Sequence, residues 1–494
     1  YHYPAGMHKK GTLIDIHEWD TGKYLGQIAQ ARQTYNVIGN MNEFQLTIGE
    51  TTFGGRPELV DTTGIIDYGS LIYLGLQRSR TAREAIKVMT ELVQEYGYYS
   101  GGESFTIADP NEIWIMEMIG KGPGVRGAVW VAVRVPDDCI SAHANQSRIH
   151  QFNMNDKENC MYSPDVISFA REKGYFDGVN KDFSFANAYA PLDFGARRYC
   201  EARVWSYFNM FTDRGNEFLP YILGETNTPM PLFVKPNRKV SVQDVKNAMR
   251  DHYEGTPLDI SKDFGAGPYH TPYRLSPLSF KVGDREYFNE RPISTQQSGF
   301  VFVAQMRSEL PDPIGGVLWF GTDDANMTVF TPVYCCTDKV PVCYTRVDGA
   351  DYITFSWNSA FWIFNWVANM VYPRYDLMMG DVRATQTELE TTFNEAQEGV
   401  EAAAAKLLEK DPAKAKAFLT NYTNMTAQST FDTWKRLGEF LVVKYNDGVV
   451  KRMKNGQFER NSIGQPAGVI RPGYPKEFLE EYVKQTGDRY KMPE

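Results

Sequence analysis

Between residues 103 and 135 three apolar stretches follow one another so closely that no helix fits between them. Residues 103–108 and 113–118 flank Asp109-Pro110-Asn111-Glu112. In such a turn Pro presets φ, and Asp and Asn bond their own backbone. A glycine-rich loop, Gly120-Lys121-Gly122-Pro123-Gly124, then leads to a third run at 128–135. Parallel strands need a crossover of about a dozen residues or more, so these connections predict an antiparallel meander. Apolar residues at consecutive positions, rather than alternate ones, predict a sheet covered on both faces.

The rest of the chain is read around that sheet. Residues 11–16 alternate as a strand. Two further strands lie between 35 and 52, with Asn40 to Glu43 as the turn between them, and 139–143 is expected to form another strand. Residues 81–96 carry Ala82, Ala85, Ile86, Met89, Leu92 and Val93 at helical spacing, with Thr81 and Glu84 as a capping box and Gly97 as the stop. Helices are expected at 196–212 and 240–253, and an irregular stretch at 255–300. Strands return at 299–305, 316–320, 327–333 and 352–355, followed by an aromatic helix at 358–370. From residue 383 onward the chain is Ala- and Glu-rich and helical, ending in a loop-rich tail. The expected division is 1–382 and 383–494. Strands, helices, strands and helices in this order describe an α+β fold, not an alternating βαβ one.

Several functions are disfavoured. The formal net charge of −9 does not suit a nucleic-acid or anionic-membrane partner. No uncharged apolar run is long enough to span a bilayer. There is no phosphate-binding glycine loop, no H-E-x-x-H and no G-x-S-x-G. The six cysteines form no C-x-x-C pair, so no metal site or cofactor is expected.

Two polar clusters interrupt the apolar pattern. One runs from Asn40 through Asn42 and Glu43 to Glu50, Thr51 and Thr52. The other is His143-Ala144-Asn145-Gln146-Ser147-Arg148, at a strand end, where an amide N–H can be aimed at a developing oxyanion. Arg197 and Arg198 precede a helix and oppose its dipole, which suits carboxylate binding or thiolate stabilisation. Arg291, Arg307, Asp323, Asp324 and Arg374 flank the late strands.

Taken in order, these segments are familiar. The run from Tyr35 to Glu43 leads into Ile48-Gly49-Glu50-Thr51-Thr52-Phe53-Gly54-Gly55-Arg56. Gly102-Glu103-Ser104-Phe105, Ala108-Asp109-Pro110-Asn111-Glu112 and Ser141-Ala142-His143-Ala144-Asn145-Gln146 follow. Asp251-His252-Tyr253-Glu254-Gly255-Thr256, Pro313-Ile314-Gly315-Gly316, Trp319-Phe320-Gly321, Asn358 to Trp362 and Tyr372-Pro373-Arg374-Tyr375 complete the series. Over residues 1–445 the chain resembles the dipeptidase A family of cysteine peptidases, which are N-terminal-nucleophile hydrolases. The resemblance implies a four-layer αββα sandwich of antiparallel sheets with a helical C-terminal region. It implies metal-independent hydrolysis of dipeptides by a cysteine that becomes the first residue of the mature chain. Its thiolate attacks the amide carbonyl while the α-amine serves as base.

The residue at position 1 is Tyr, and the resemblance places the nucleophile upstream of it. Asn145 corresponds to the oxyanion-side asparagine. Arg198, or Arg197 by a shift of register, corresponds to the arginine near the nucleophile, and Thr51 or Thr52 to a second oxyanion donor. Asn42, Glu43, Glu50, Thr51, Thr52, His143 and Arg197 are the expected substrate-binding set. Two other functions stay open: hydrolysis of bile-salt or N-acyl amides on the same fold, and a catalytically inactive binding protein. Dipeptide substrates, a homo-oligomeric state and export to the periplasm or medium are the remaining expectations.

Overall fold

The meander is the centre of a larger sheet. In the computed structural model, which describes residues 1–494, eight strands pair in the order in which the chain makes them. They are β1 (His2–Tyr3), β2 (Val37–Ile38), β3 (Met41–Asn42), β4 (Thr47–Gly54), β5 (Gly102–Ala108), β6 (Ile113–Gly120), β7 (Ala128–Arg134) and β8 (Cys160–Tyr162). Every pairing is antiparallel. The Asp109 carboxylate tightens the β5–β6 turn by accepting the N–H groups of Asn111 at 2.8 Å and Glu112 at 3.0 Å.

The two-residue period sorts side chains onto two covered faces. Ile48, Phe105, Ile107, Trp114 and Met116 pack against α1 (Tyr68–Arg78) and α2 (Ala82–Tyr96). Phe53, Ile115, Ile119, Val129 and Val131 face the opposite way, onto Val166, Phe169, Phe185 and Tyr189. Burial on both sides is why these strands read as continuous apolar runs. Thr81 caps α2 by accepting from Glu84 N at 3.2 Å. The Glu84 carboxylate accepts from Arg80 N rather than Thr81 N, so the returning half of the capping box is offset by one residue.

Residues 196–212 are helical, as expected, in two parts. A π-helical turn, Ala196–Glu201, runs into α3 (Ala202–Phe211). A second, three-stranded antiparallel sheet contains β9 (Phe300–Gln305), β10 (Val317–Thr322) and β11 (Thr331–Tyr334). Leu318 and Val333 of this sheet meet Ile38 and Met41 of the large one. Gly39 sits at that contact with φ 55°, and a Cβ there would lie 2.6 Å from Leu318 Cδ2, so both conformation and space call for glycine. The opposite face of the second sheet, with Val301, Val303, Trp319 and Tyr334, packs on α4 (Ala360–Val371), α5 (Tyr375–Leu408) and α6 (Pro412–Tyr445). Phe364 stacks on Trp434 there, with ring centroids 4.7 Å apart. The α5 helix runs without a break through residues 382 and 383. No helix is long and apolar enough to cross a membrane.

Some local expectations are corrected. Met41–Asn42 is a strand rather than part of the turn, because Asn42 is pinned from both sides as described below. Residues 139–143 hold only the two-residue strand Ile140–Ser141. Residues 352–355 form no strand. The stretch 255–300 contains a hairpin, Ser279–Val282 with Arg285–Phe288. Helix α1 was not foreseen: its apolar run, with buried glycines at 69 and 75, has too weak a polar face to show a helical period.

Candidate active site

Pairing puts the first polar cluster at an open sheet edge. β3 meets β4 only at Met41 and Thr47, so beyond Ile48 the outer edge of β4 has no neighbouring strand. Ile48 N–H donates to Asn40 O and Ile48 C=O accepts from Asn40 Nδ2, so the backbone of Ile48 points away from β5. Two and four residues on, Glu50 and Thr52 present their backbone groups the same way. That edge borders a cleft of about 400 Å³ lined by Trp19, Glu50, Tyr68, Tyr73, Phe300 and Phe302, among others.

Asn145 closes the upper end of this edge. Its backbone is left-handed, with φ 60°, a conformation that asparagine tolerates better than most residues. Asn145 Nδ2 donates to Thr52 O at 2.7 Å, and its Oδ1 accepts from Arg203 Nη2 at 2.9 Å. A carbonyl only accepts and a guanidinium only donates, so the orientation of the amide is fixed. The second Nδ2 hydrogen remains free to meet an oxyanion.

The loop that carries Asn145 is held from below by Glu117 of β6. This buried carboxylate accepts from Ser147 Oγ and from the N–H groups of Arg148 and Ile149. Burial pushes its pKa up to about 7 against the pull of those donors. Arg148, itself buried, donates to Glu201 at 2.9 Å and to the carbonyls of Ala142 and Pro231. His143 lies between two threonine hydroxyls: Nδ1 is 2.6 Å from Thr51 Oγ1, and Nε2 is 2.7 Å from Thr106 Oγ1. Burial, then Arg148, lowers its pKa to about 4, so the ring is neutral near pH 7. It ties β4 to β5 and is not poised as a base.

Glu50 and Glu103 face each other across β4 and β5. Each has a buried Oε2 without a donor, while Thr52 Oγ1 donates to Glu103 Oε1 at 2.8 Å. Burial raises the pKa of both, and the Glu50 charge raises Glu103 further, so one proton is shared between them. A carboxyl whose folded value is raised contributes stability that is fully present below the unfolded value of ~4.5 and lost as pH rises through the folded one. Between pH 5 and 9 the melting temperature is expected to fall with rising pH, and Glu103→Gln to flatten that fall. Parallel melting curves for the two proteins would contradict the shared proton.

The other expected residues are placed elsewhere. Asn42 donates to Leu76 O and Ser79 O at the end of α1 and accepts from Phe44 N and Leu46 N. Glu43 accepts from Asn36 N. Both tie turns to the fold and neither lines the cleft. Arg197 donates to Tyr221 O, Thr226 O and Asn227 Oδ1. Arg198 pairs with Glu290 and lies over the Phe288 ring. The arginine that reaches Asn145 is Arg203. The π-helical turn Ala196–Glu201 resets the register between Arg198 and Arg203, and spacing alone does not reveal such a turn. Glu103 and Glu117 were also missed. Their signal was a carboxylate in an apolar strand.

All six cysteines are free. Burial raises each thiol, Cys160 to about 11 and Cys336 and Cys343 to about 12. Cys200 lies beside Arg203 and Arg291, which oppose the rise, but burial outweighs them, and none of the six combines electropositive surroundings with the exposure of a thiolate nucleophile.

Against known families, residues 1–388 match the model of peptidase family C69. The chain belongs to peptidase family C69. A probable dipeptidase of Salmonella dublin is 30% identical over 326 residues, covering 65% of this chain and 65% of that protein. A probable dipeptidase of Latilactobacillus sakei is 27% identical over 352 residues, covering 71% of the chain and 66% of the relative. Dipeptidase A of Lactobacillus helveticus is 24% identical over 320 residues, covering 64% and 60%. The chain thus spans about two thirds of the length of the curated relatives it matches. In this C69 chain the matched region contains the open edge of β4, Asn145, Arg203 and the Glu50–Glu103 pair.

Proposed function

We propose that the protein is a dipeptidase of the N-terminal-nucleophile type. The observation that carries this reading is the clamped amide of Asn145 beside the open edge of β4, in a C69 chain whose relatives are named dipeptidases. The nucleophile is a cysteine N-terminal to Tyr1, on a strand seated in the cleft between the outer edge of β4 and β9. Seated there, its own α-amine takes the thiol proton, the thiolate attacks the dipeptide carbonyl, and the proton passes to the leaving amine; water, activated by the same amine, then hydrolyses the thioester and frees the thiol. The free Nδ2 hydrogen of Asn145 stabilises the oxyanion. Two sheets in contact, with α1 and α2 on one side and α4, α5 and α6 on the other, support a four-layer αββα sandwich.

The full-length gene product is expected to release free amino acids from dipeptides without added metal. Conjugated bile salts and N-acyl amides should be poor substrates under the same conditions. Cleavage of the acyl amides with dipeptides untouched would replace the dipeptidase reading with the other hydrolase. Intact mass and N-terminal sequencing of the native protein should find cysteine as the first residue. A native chain that begins at Tyr1 would remove the proposed nucleophile.

A further inference from the structure

Of the five charged residues flanking the late strands, four are engaged. Arg307 pairs with Glu401, Arg374 donates to Tyr445 O, Asp323 accepts from Asn365, and Asp324 accepts from Tyr273, Tyr372 and Ser294. Arg291 is the exception. Its backbone is held, because Tyr253 Oη donates to Arg291 O at 2.7 Å. Its guanidinium has no ion pair or hydrogen bond to the protein and lines a cavity of about 380 Å³ with Tyr199, Arg274, Glu290 and Gln296.

Arg291 also lies in the electrostatic field of Arg203. Arg203 is fixed by Nε to Tyr199 O at 2.7 Å and by Nη2 to Ala144 O and Asn145 Oδ1, and its guanidinium also lies against the Cys200 thiol. Neither guanidinium has a carboxylate of its own. The charges around the Tyr253 hydroxyl are Arg203, Arg198, Glu290 and Asp251. Glu290 pairs with Arg198 through Oε1, and its Oε2 is buried without a hydrogen-bond partner. Asp251 accepts from Ser206 Oγ at 2.7 Å, and burial raises its pKa to about 6. With Arg291 included, positive charge is in excess. Tyr253 adds a strained backbone, with φ 66° in a fully buried tyrosine. Strain of this kind persists where the surrounding structure over-determines it, often at ligand clamps. Two like charges held together, one of them with its donors free, form a receptor for an anion.

We propose that Arg291, with Arg203 behind it, binds the terminal carboxylate of the substrate and of the amino acid that leaves. The ligand's identity rests on the dipeptidase reading. Arg203 then does two things with one side chain: it orients the Asn145 amide and adds its positive charge behind Arg291. A receptor built this way selects a free carboxylate over an amide and disfavours longer peptides, whose carboxylate lies further from the cleaved bond.

The test is calorimetric titration of the full-length protein with L-leucine and with L-leucinamide. Leucine is expected to bind at least ~10-fold more tightly than leucinamide, and Arg291→Met to lose ~10–100-fold for leucine alone, with Arg291→Lys between. In turnover, Arg291→Met is expected to raise KM for a dipeptide by a similar factor, with kcat little changed and the dipeptide amide unaffected. Equal binding of leucine and leucinamide by the unaltered protein, or leucine binding indifferent to Arg291, overturns the proposal even where dipeptides are cleaved. Leucine binding that depends on Arg291 in a protein that cleaves no dipeptide keeps the carboxylate site and removes the dipeptidase reading instead.

Discussion

Asn145→Ala is expected to lower kcat on dipeptides by ~10²–10³ in the full-length protein, the cost of losing one oxyanion donor. KM should change little, because the free Nδ2 hydrogen meets the oxygen only once it carries charge. Asn145→Asp should be at least as damaging. A carboxylate places negative charge where negative charge develops, and Arg203 would hold it there by an ion pair. Steady-state kinetics of both variants check this. Near-normal turnover in Asn145→Ala would remove the residue from the mechanism. The companion variant Thr51→Val tests the alternative donor: Thr51 Oγ1 is already bonded to His143 on the far face of β4, so a small effect on kcat is expected.

Glu117→Ala should produce the largest loss of stability among single changes in this region. Glu117 is fully buried and holds the N–H groups of Arg148 and Ile149. Each buried donor left without a partner costs about 1–3 kcal/mol. A net loss of ~3 kcal/mol is therefore expected, and the Asn145 loop should loosen with it. The pH dependence has a definite sign. Because the folded value is raised to about 7, the contribution of Glu117 is full below ~4.5 and lost as pH rises through 7. The difference between the unaltered protein and Glu117→Ala should thus be larger at pH 5 than at pH 8. Chemical denaturation at the two pH values measures it, and an equal or reversed difference would contradict the assignment. Glu117→Gln keeps an acceptor for one backbone N–H and should fall between.

Much of the fold was legible because it rests on local rules. Short turns with no room for a crossover specify antiparallel pairing, and unbroken apolar strands specify two covered faces. Thr81 and Gly97 mark the ends of α2 by capping chemistry that operates within one turn. The glycine, asparagine and threonine segments carried the family, and Asn145 was singled out for the donor geometry at its strand end. The misses share another cause. Asn42 and Glu43 looked like pocket residues because they are polar within an apolar setting, yet a buried amide satisfies backbone groups at a helix end equally well.

What the sequence determined by itself is therefore the class of the fold, the antiparallel meander between residues 103 and 135 and the loop that holds the amide, since each follows from contacts a few residues apart. Only the tertiary structure decided which arginine serves Asn145, that Glu103 meets Glu50, that Glu117 supports the loop, and that Arg291 is left without a partner. These are relations between residues distant in the chain. A π-helical turn or a strand register sets them, and their free energy is gained only when the sheets and helices have assembled.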